Sequence, residues 1–214
     1  MIEFDIKLLT KRVTDALKQD FKALGNFKIP LKQSGVHMLY ETDKNFRAAK
    51  SPDNKKWKTL SPVTPLGRVK AGGARPLQDT GLLKNSVTFK PVGNNKIIIW
   101  AIRKSGGRDL AAVHQFGATI KPKTKKWLTV PISKLVRLTT AGELHRQKKT
   151  FIITSKKGTP IIMLKTTGGK AVPVYYLTKK VVIPARPFLG FSKENIEDIE
   201  KIFSLHAKKV LKTK

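Results

Sequence analysis

Eight residues, Ile183-Pro184-Ala185-Arg186-Pro187-Phe188-Leu189-Gly190, constrain this chain more than any other stretch. Each proline fixes φ near −65° and removes a backbone donor. Ile183 and Arg186 each precede a proline, which pushes them out of helical geometry toward extended backbone. The segment is therefore a stiff, extended joint that cannot donate a backbone hydrogen bond at two positions. Phe188, Leu189 and Phe191 follow as an apolar anchor, and Ser192 opens a helix. A plain linker between strand and helix is one reading of such a Pro and Gly cluster. The restricted presentation of the Arg186 guanidinium is the feature that reading leaves over.

The chain has 214 residues, enough for one domain or one domain with a large insertion, and enough to bury a core without staples. It has no cysteine, so it has neither a disulfide nor a thiolate metal site. The N-terminus, Met1-Ile2-Glu3-Phe4-Asp5-Ile6-Lys7, carries early acids and is not a secretory signal. No apolar run approaches the roughly 20 residues that span a bilayer, so no membrane partner is expected. The 44 Lys and Arg against 14 Asp and Glu give a formal charge of +30. A surface so basic needs an anionic counterpart: nucleic acid, an acidic protein ring or an anionic membrane.

Residues Asp5 to Leu24 read as an amphipathic helix, with Leu9, Val13, Leu17, Phe21 and Leu24 at three- and four-residue steps and Gly25-Asn26 as its stop. Phe27 to Leu31 reads as a connection because it contains Pro30. A second helix is expected from Gln33 to Ala49, with Val36, Leu39, Tyr40 and Phe46 inward. His37 lies in it with no second ligand nearby, so a solvated or hydrogen-bonded role fits it better than a metal. Pro52-Asp53-Asn54 is turn chemistry. Trp57, set among lysines, either returns to the core or stacks on a base, and burial is the commoner fate. Val63 to Pro76 is a Pro-, Gly- and Arg-rich loop.

Asp79 or Thr80 is a candidate cap for a short helical turn, with Leu82 and Leu83 inward. Ser86 to Lys90 alternates as a strand, Gly93-Asn94-Asn95 turns, and Lys96 to Ile102 returns as a buried strand. Asp109 to Gly117 is a short helical segment closed by glycine. His114 and Asp109 suggest catalysis only if a hydroxyl or thiol lies within reach of the base, and nothing in the spacing provides one. No catalytic, cofactor-binding or metal-binding residue is expected.

From Ala118 to Val182 the chain carries 13 lysines and a single acid, Glu143. Strands run through it: Trp127 to Val130, Phe151 to Ser155 turning at Lys156-Lys157-Gly158 into Pro160 to Leu164, then Val172 to Leu177, with Lys179 to Ile183 continuing. The expected result is a β-rich basic insertion, 118–182, with charge gathered at its loops. Lysines on sheet edges also discourage aggregation, which accounts for some of them but not for the near absence of acids. Lys121, Lys123, Lys125, Lys126, Lys156, Lys157, Lys179 and Lys180 are the candidate contacts to DNA or to an anionic partner. Thr166-Thr167-Gly168-Gly169-Lys170 lacks the spacing of a phosphate loop. Ser192 to Leu211 is an amphipathic helix capped by Ser192, with Ile196, Ile199, Ile202, Phe203 and Val210 as its stripe. Glu194, Glu197, Asp198 and Glu200 make its first half acidic, a patch suited to the basic insertion of a neighbouring copy.

Four islands in order resemble the phage virion morphogenesis family, the tail-completion proteins of tailed bacteriophages. They are Phe46 through Trp57 to Leu60; Asp79-Thr80-Gly81-Leu82-Leu83 with Ser86; Val113-His114-Gln115-Phe116-Gly117; and the joint with Pro184, Arg186, Pro187 and Phe188. The resemblance spans about 1–117 and 183–214, and no motif supports it within the insertion. It implies a non-enzymatic structural protein without cofactors, found in the virion tail or neck after assembly in the host cytoplasm. It implies partners too: other copies in a ring, the tail tube and the head–tail connector, with non-specific DNA contact at the junction. It makes the joint a device that holds the last helix against a sheet. The expected fold is a single α+β domain: N-terminal helices, an antiparallel sheet bearing the basic insertion, and a C-terminal helix packed back on the core. The rival reading is a basic nucleic-acid-binding protein that follows phosphates without sequence specificity.

Overall fold

The computed structural model describes residues 2–5, 27–61, 75–133, 136, 140–147 and 149–212. In chain order the elements are β1 (Ile2–Asp5), α1 (Lys28–Ala48), β2 (Val87–Val92), β3 (Lys96–Ala101), β4 (Lys104–Ser105), β5 (Arg108–Asp109), α2 (Leu110–Phe116), β6 (Ala118–Ile120), β7 (Leu128–Pro131), α3 (Ala141–Arg146), β8 (Thr150–Thr154), β9 (Pro160–Lys165), β10 (Ala171–Thr178), β11 (Val181–Ile183) and α4 (Lys193–Lys212). The class is α+β with antiparallel sheets and a C-terminal helix. Two compact units divide it: 1–57, 81–116 and 185–214 form the first, and 58–80 with 117–184 the second.

In the first unit three antiparallel strands lie in the order β1-β3-β2. β3 alternates, burying Ile97, Ile99 and Ala101, because successive side chains point to opposite faces. α1 covers that face and also contacts α4, whose Ile199, Phe203 and Ala207 are buried. Phe27 meets Phe203 with ring centroids 5.8 Å apart. Ser192 Oγ accepts from the Asn195 amide and Asn195 Oδ1 accepts from the Ser192 amide, both at 3.1 Å, so the start of α4 is capped reciprocally.

α1 departs from the sequence expectation in two ways. It starts at Lys28, not Gln33, and Pro30 sits inside its first turn, where backbone N–H groups have no helical partner to lose. Its phase also differs. The buried positions are Pro30, Leu31, Ser34, Gly35, Met38, Thr42 and Phe46, while Val36 and Tyr40 are 56% and 61% exposed. Small residues take the inner face because the sheet comes too close for larger ones: a Cβ on Gly35 would lie 2.4 Å from the Phe89 ring and 2.5 Å from Ile97 Cδ1. Leu82 is exposed and only Leu83 turns inward. Ile102 lies beyond the strand and is exposed. The expected helix over Asp5 to Leu24 lies outside the described residues except Asp5, which ends β1, and the expected loop lies outside them over 63–74.

The second unit contains a four-stranded antiparallel sheet in the order β7-β10-β9-β8, and β11 pairs separately with β6. Lys179 to Ile183 therefore does not extend β10 but crosses to a different ladder. One sheet face is covered by a cluster of Val136, Leu144, Val174 and Tyr175. Leu144 comes from α3, a helix not foreseen in this lysine-rich region. Thr140 accepts from the Glu143 amide, and the Glu143 carboxylate accepts from the Thr140 amide at 2.6 Å, a complete capping box. These hydrogen bonds, from the Thr140 amide and then its hydroxyl, hold the Glu143 carboxyl below its usual range.

Candidate functional site

Past Ile183, which ends β11, the joint lies in no strand or helix, so side chains must serve its backbone. Gln115 does most of this. Its Oε1 accepts from the amides of Phe188 (3.0 Å) and Leu189 (3.2 Å), and its Nε2 donates to the Leu189 carbonyl (2.8 Å). The Trp57 indole N–H donates to the Pro187 carbonyl at 2.8 Å, and Asn45 Nδ2 donates to the Phe188 carbonyl at 3.4 Å. The Arg186 amide donates to the His114 carbonyl at 2.7 Å. Phe188 inserts its fully buried ring beside Phe46, centroids 5.1 Å apart, and Phe46 meets Trp57 edge-on at 5.6 Å.

The structure thus brings Trp57, His114, Gln115, Pro187 and Phe188 into one cluster. Trp57 is buried and hydrogen-bonded, so it offers no face to a base. Arg186 is buried too. Phe116 is exposed, and Gly117 takes φ +76°, which ends α2 at little cost. The Asp109 carboxylate accepts from the amides of Ala111 (3.0 Å) and Ala112 (3.4 Å), fixing the start of α2 and hence the position of Gln115. Pro184 is half-buried. Asn45 is the member of the cluster that sequence reading missed. Its position one residue before Phe46 was visible, but its partner 143 residues away was not.

The Asp79 to Ser86 island is a turn. Gly81 takes φ +77°, the Asn85 amide donates to the Gly81 carbonyl, and the Ser86 hydroxyl donates back to the Leu83 carbonyl at 2.7 Å. The regular turn, Lys84–Ser86, begins after the expected capping residues and has no side-chain cap at Leu83. Asp79 is half-buried and Thr80 exposed. Lys84 in this turn pairs with Asp43 of α1, which also pairs with Arg47. Lys84 first, with Arg47 behind it, holds the Asp43 carboxyl below its usual value.

The eight candidate lysines are all exposed. Strand register puts the three connections that carry them at one end of the four-stranded sheet. Leu128, which follows Lys121 to Lys126, faces Thr178, which precedes Lys179 and Lys180. Pro160, which follows Lys156 and Lys157, faces Thr154, and Ile161 beside it faces Tyr176. Lys179 Nζ lies 5.6 Å over the Trp127 ring, tying two of these connections together. Glu143, the insertion's one acid, is committed to its own helix cap. What this end can do chemically is attract and hold anions through many individually weak, salt-screened contacts.

Among the described residues no group of three or more His, Asp or Glu could hold a metal, and no helix is long and apolar enough to cross a membrane. His37 lies 3.8 Å from the Asp198 carboxylate, a contact between α1 and α4 and not a ligand set. A crevice lined by Met38, Thr42, Ile99, Leu189, Gly190 and Phe191 has room for little more than a water molecule.

The model of a family described as the phage virion morphogenesis family matches residues 8–150. The matched region holds Trp57, the Asp79 turn and the Gln115 segment, and the joint that Trp57 and Gln115 grip lies beyond it. No curated protein and no solved structure matches.

Proposed function

The chain belongs to the phage virion morphogenesis family, and its role is in building the phage particle; from that premise we propose that it is a structural subunit of tail completion or head–tail joining. In this reading copies assemble as a ring at the head-proximal end of the tail and present a surface to the head–tail connector. The protein works by docking and not by catalysis. The observation that carries the reading beyond the family is the gathering of eight exposed lysines at one end of the second unit's sheet, with the insertion's one acid locked in a cap. Such an end suits an acidic ring of the tail or neck, or DNA passing the junction. The acidic first half of α4, with Glu194 and Glu197 exposed, suits a neighbouring copy.

The test is charge reversal of Lys123, Lys125 and Lys126 to Glu in the producing phage. Unchanged folding with loss of joined particles, and accumulation of separate heads and tails, supports the reading. Normal joining refutes it. Quantitative mass spectrometry of salt-washed, nuclease-treated particles provides the second arm. A constant low copy number fits one or two rings. Absence from particles, with the protein following bulk nucleic acid and released by salt, would instead favour the non-specific nucleic-acid-binding reading, since counterion release makes such binding steeply salt-dependent.

A further inference from the structure

The four-stranded sheet of the second unit has two edges, and they differ. β7 is short and guarded. The Ile132 amide donates to the Val174 carbonyl, so Val130 and Leu128 also face β10 with their backbone groups, and Thr129 and Pro131 face away. Pro131 has no donor, and Lys125 and Lys126 precede the strand, which are ordinary ways of closing an edge.

β8 has lysines outside its ends too, but no guard within the strand. Its residues, Thr150-Phe151-Ile152-Ile153-Thr154, include no proline and no charge. The Lys165 amide donates to the Lys149 carbonyl and the Ser155 amide to the Thr159 carbonyl. Alternation in an antiparallel ladder then gives Phe151 and Ile153 the bonds to β9 and leaves the N–H and C=O of Thr150, Ile152 and Thr154 pointing outward. Among the described residues none of these groups is bonded across that edge. Phe151, Ile152 and Ile153 are all exposed, Ile152 by 63%. A β-branched strand with three outward donor–acceptor sets is a template for another strand.

Charge identifies the occupant. Lys149 lies just before β8, and Lys156 and Lys157 lie just after it, all exposed. A second copy paired antiparallel about Ile152 would set Lys149 of one copy next to Lys156 of the other, like charges where a sheet wants opposite ones. We propose that β8 is a docking edge that receives an extended strand of a partner protein, apolar or threonine-rich at its centre and carrying carboxylates at both ends. The inference does not depend on where in the virion the chain sits.

The experiment uses the full chain, amide exchange by NMR, and a synthetic peptide of alternating Thr and Val with two carboxylates at each end. In the protein alone the amides of Thr150, Ile152 and Thr154 exchange fast while those of Phe151 and Ile153 are protected. The peptide protects the three fast amides, and a lysine-ended control binds at least tenfold more weakly. Ile152→Pro removes an outward N–H without breaking a bond to β9, so far-UV CD and melting stay close to wild type while binding is lost. If that variant unfolds, backbone N-methylation of the peptide at its facing residues replaces it, and must abolish binding. Protection of Ile152 before peptide is added, from the chain itself or from a second copy, overturns the proposal. So do equal affinity for the lysine-ended control, binding that survives N-methylation, and failure of the acidic peptide to bind.

Discussion

Replacing Gln115 with Ala should cost this protein more than most buried substitutions. The side chain is buried and makes three hydrogen bonds to the joint, leaving the amides of Phe188 and Leu189 and the carbonyl of Leu189 without that partner when it is gone. A buried polar group so stranded costs about 1–3 kcal/mol. Water entering the vacated space recovers part, so we expect about 3–5 kcal/mol from a total that for single domains is about 5–15 kcal/mol. In a unit of this size that is a fall in melting temperature on the order of 10–20 °C. Urea and thermal unfolding followed by CD measure it. Gln115→Glu refines the test. Its carboxylate still accepts from the two amides but turns an oxygen toward the Leu189 carbonyl, where only a proton restores the donor. That raises the folded pKa, so the penalty is absent below the ordinary Glu value of about 4.3 and grows as pH rises above it. A Gln115→Ala loss below about 1 kcal/mol, with the urea slope unchanged, would refute the view that side chains hold the joint.

Two further outcomes follow from unit 1. Gly35→Ala, a change that normally helps a helix by about 1 kcal/mol, should here destabilise by about 1–2 kcal/mol, because the added Cβ meets Phe89 and Ile97 and overpacking of this kind costs about 1–3 kcal/mol; a rise in melting temperature would contradict the packing of α1. Asp43→Asn should cost up to about 1 kcal/mol at neutral pH, in keeping with a partly exposed ion pair. Because Lys84 holds the folded carboxyl below 3.8, the pair's contribution is present above that value and fades as pH falls through the depressed one, so wild type and variant should converge in acid-side urea titrations.

Periodicity located the long elements well. α4, the β2–β3 hairpin and the β8–β9 hairpin stand within a residue or two of their expected places, since their stripes and turns are local signals. The phase of α1 was not legible. Counting apolar residues favoured Val36 and Tyr40, whereas the helix turns Ser34, Gly35 and Thr42 inward because a sheet presses against it. Size, not hydrophobicity, decided that face, and the size limits come from Phe89 and Ile97, 54 and 62 positions further along the chain. α3 was overlooked among lysines although Thr140 and Glu143 have the spacing of a capping box. The stiffness of the joint was readable from its prolines. The side chains that satisfy it come from Asn45, Trp57 and Gln115, and separations of 73 to 143 residues leave no mark in a single sequence.

The bond between the His114 carbonyl and the Arg186 amide puts the ends of the excursion 117–184 side by side where the chain leaves and re-enters the first unit. An excursion whose two ends meet behaves as an interchangeable cassette. Its length, charge and sheet can be rewritten by evolution, or shortened to a tight loop, without moving a residue of the framework that grips the joint. Partner-specific change would then accumulate in the cassette, while the framework keeps the hydrogen bonds that hold the joint and the acidic face of α4.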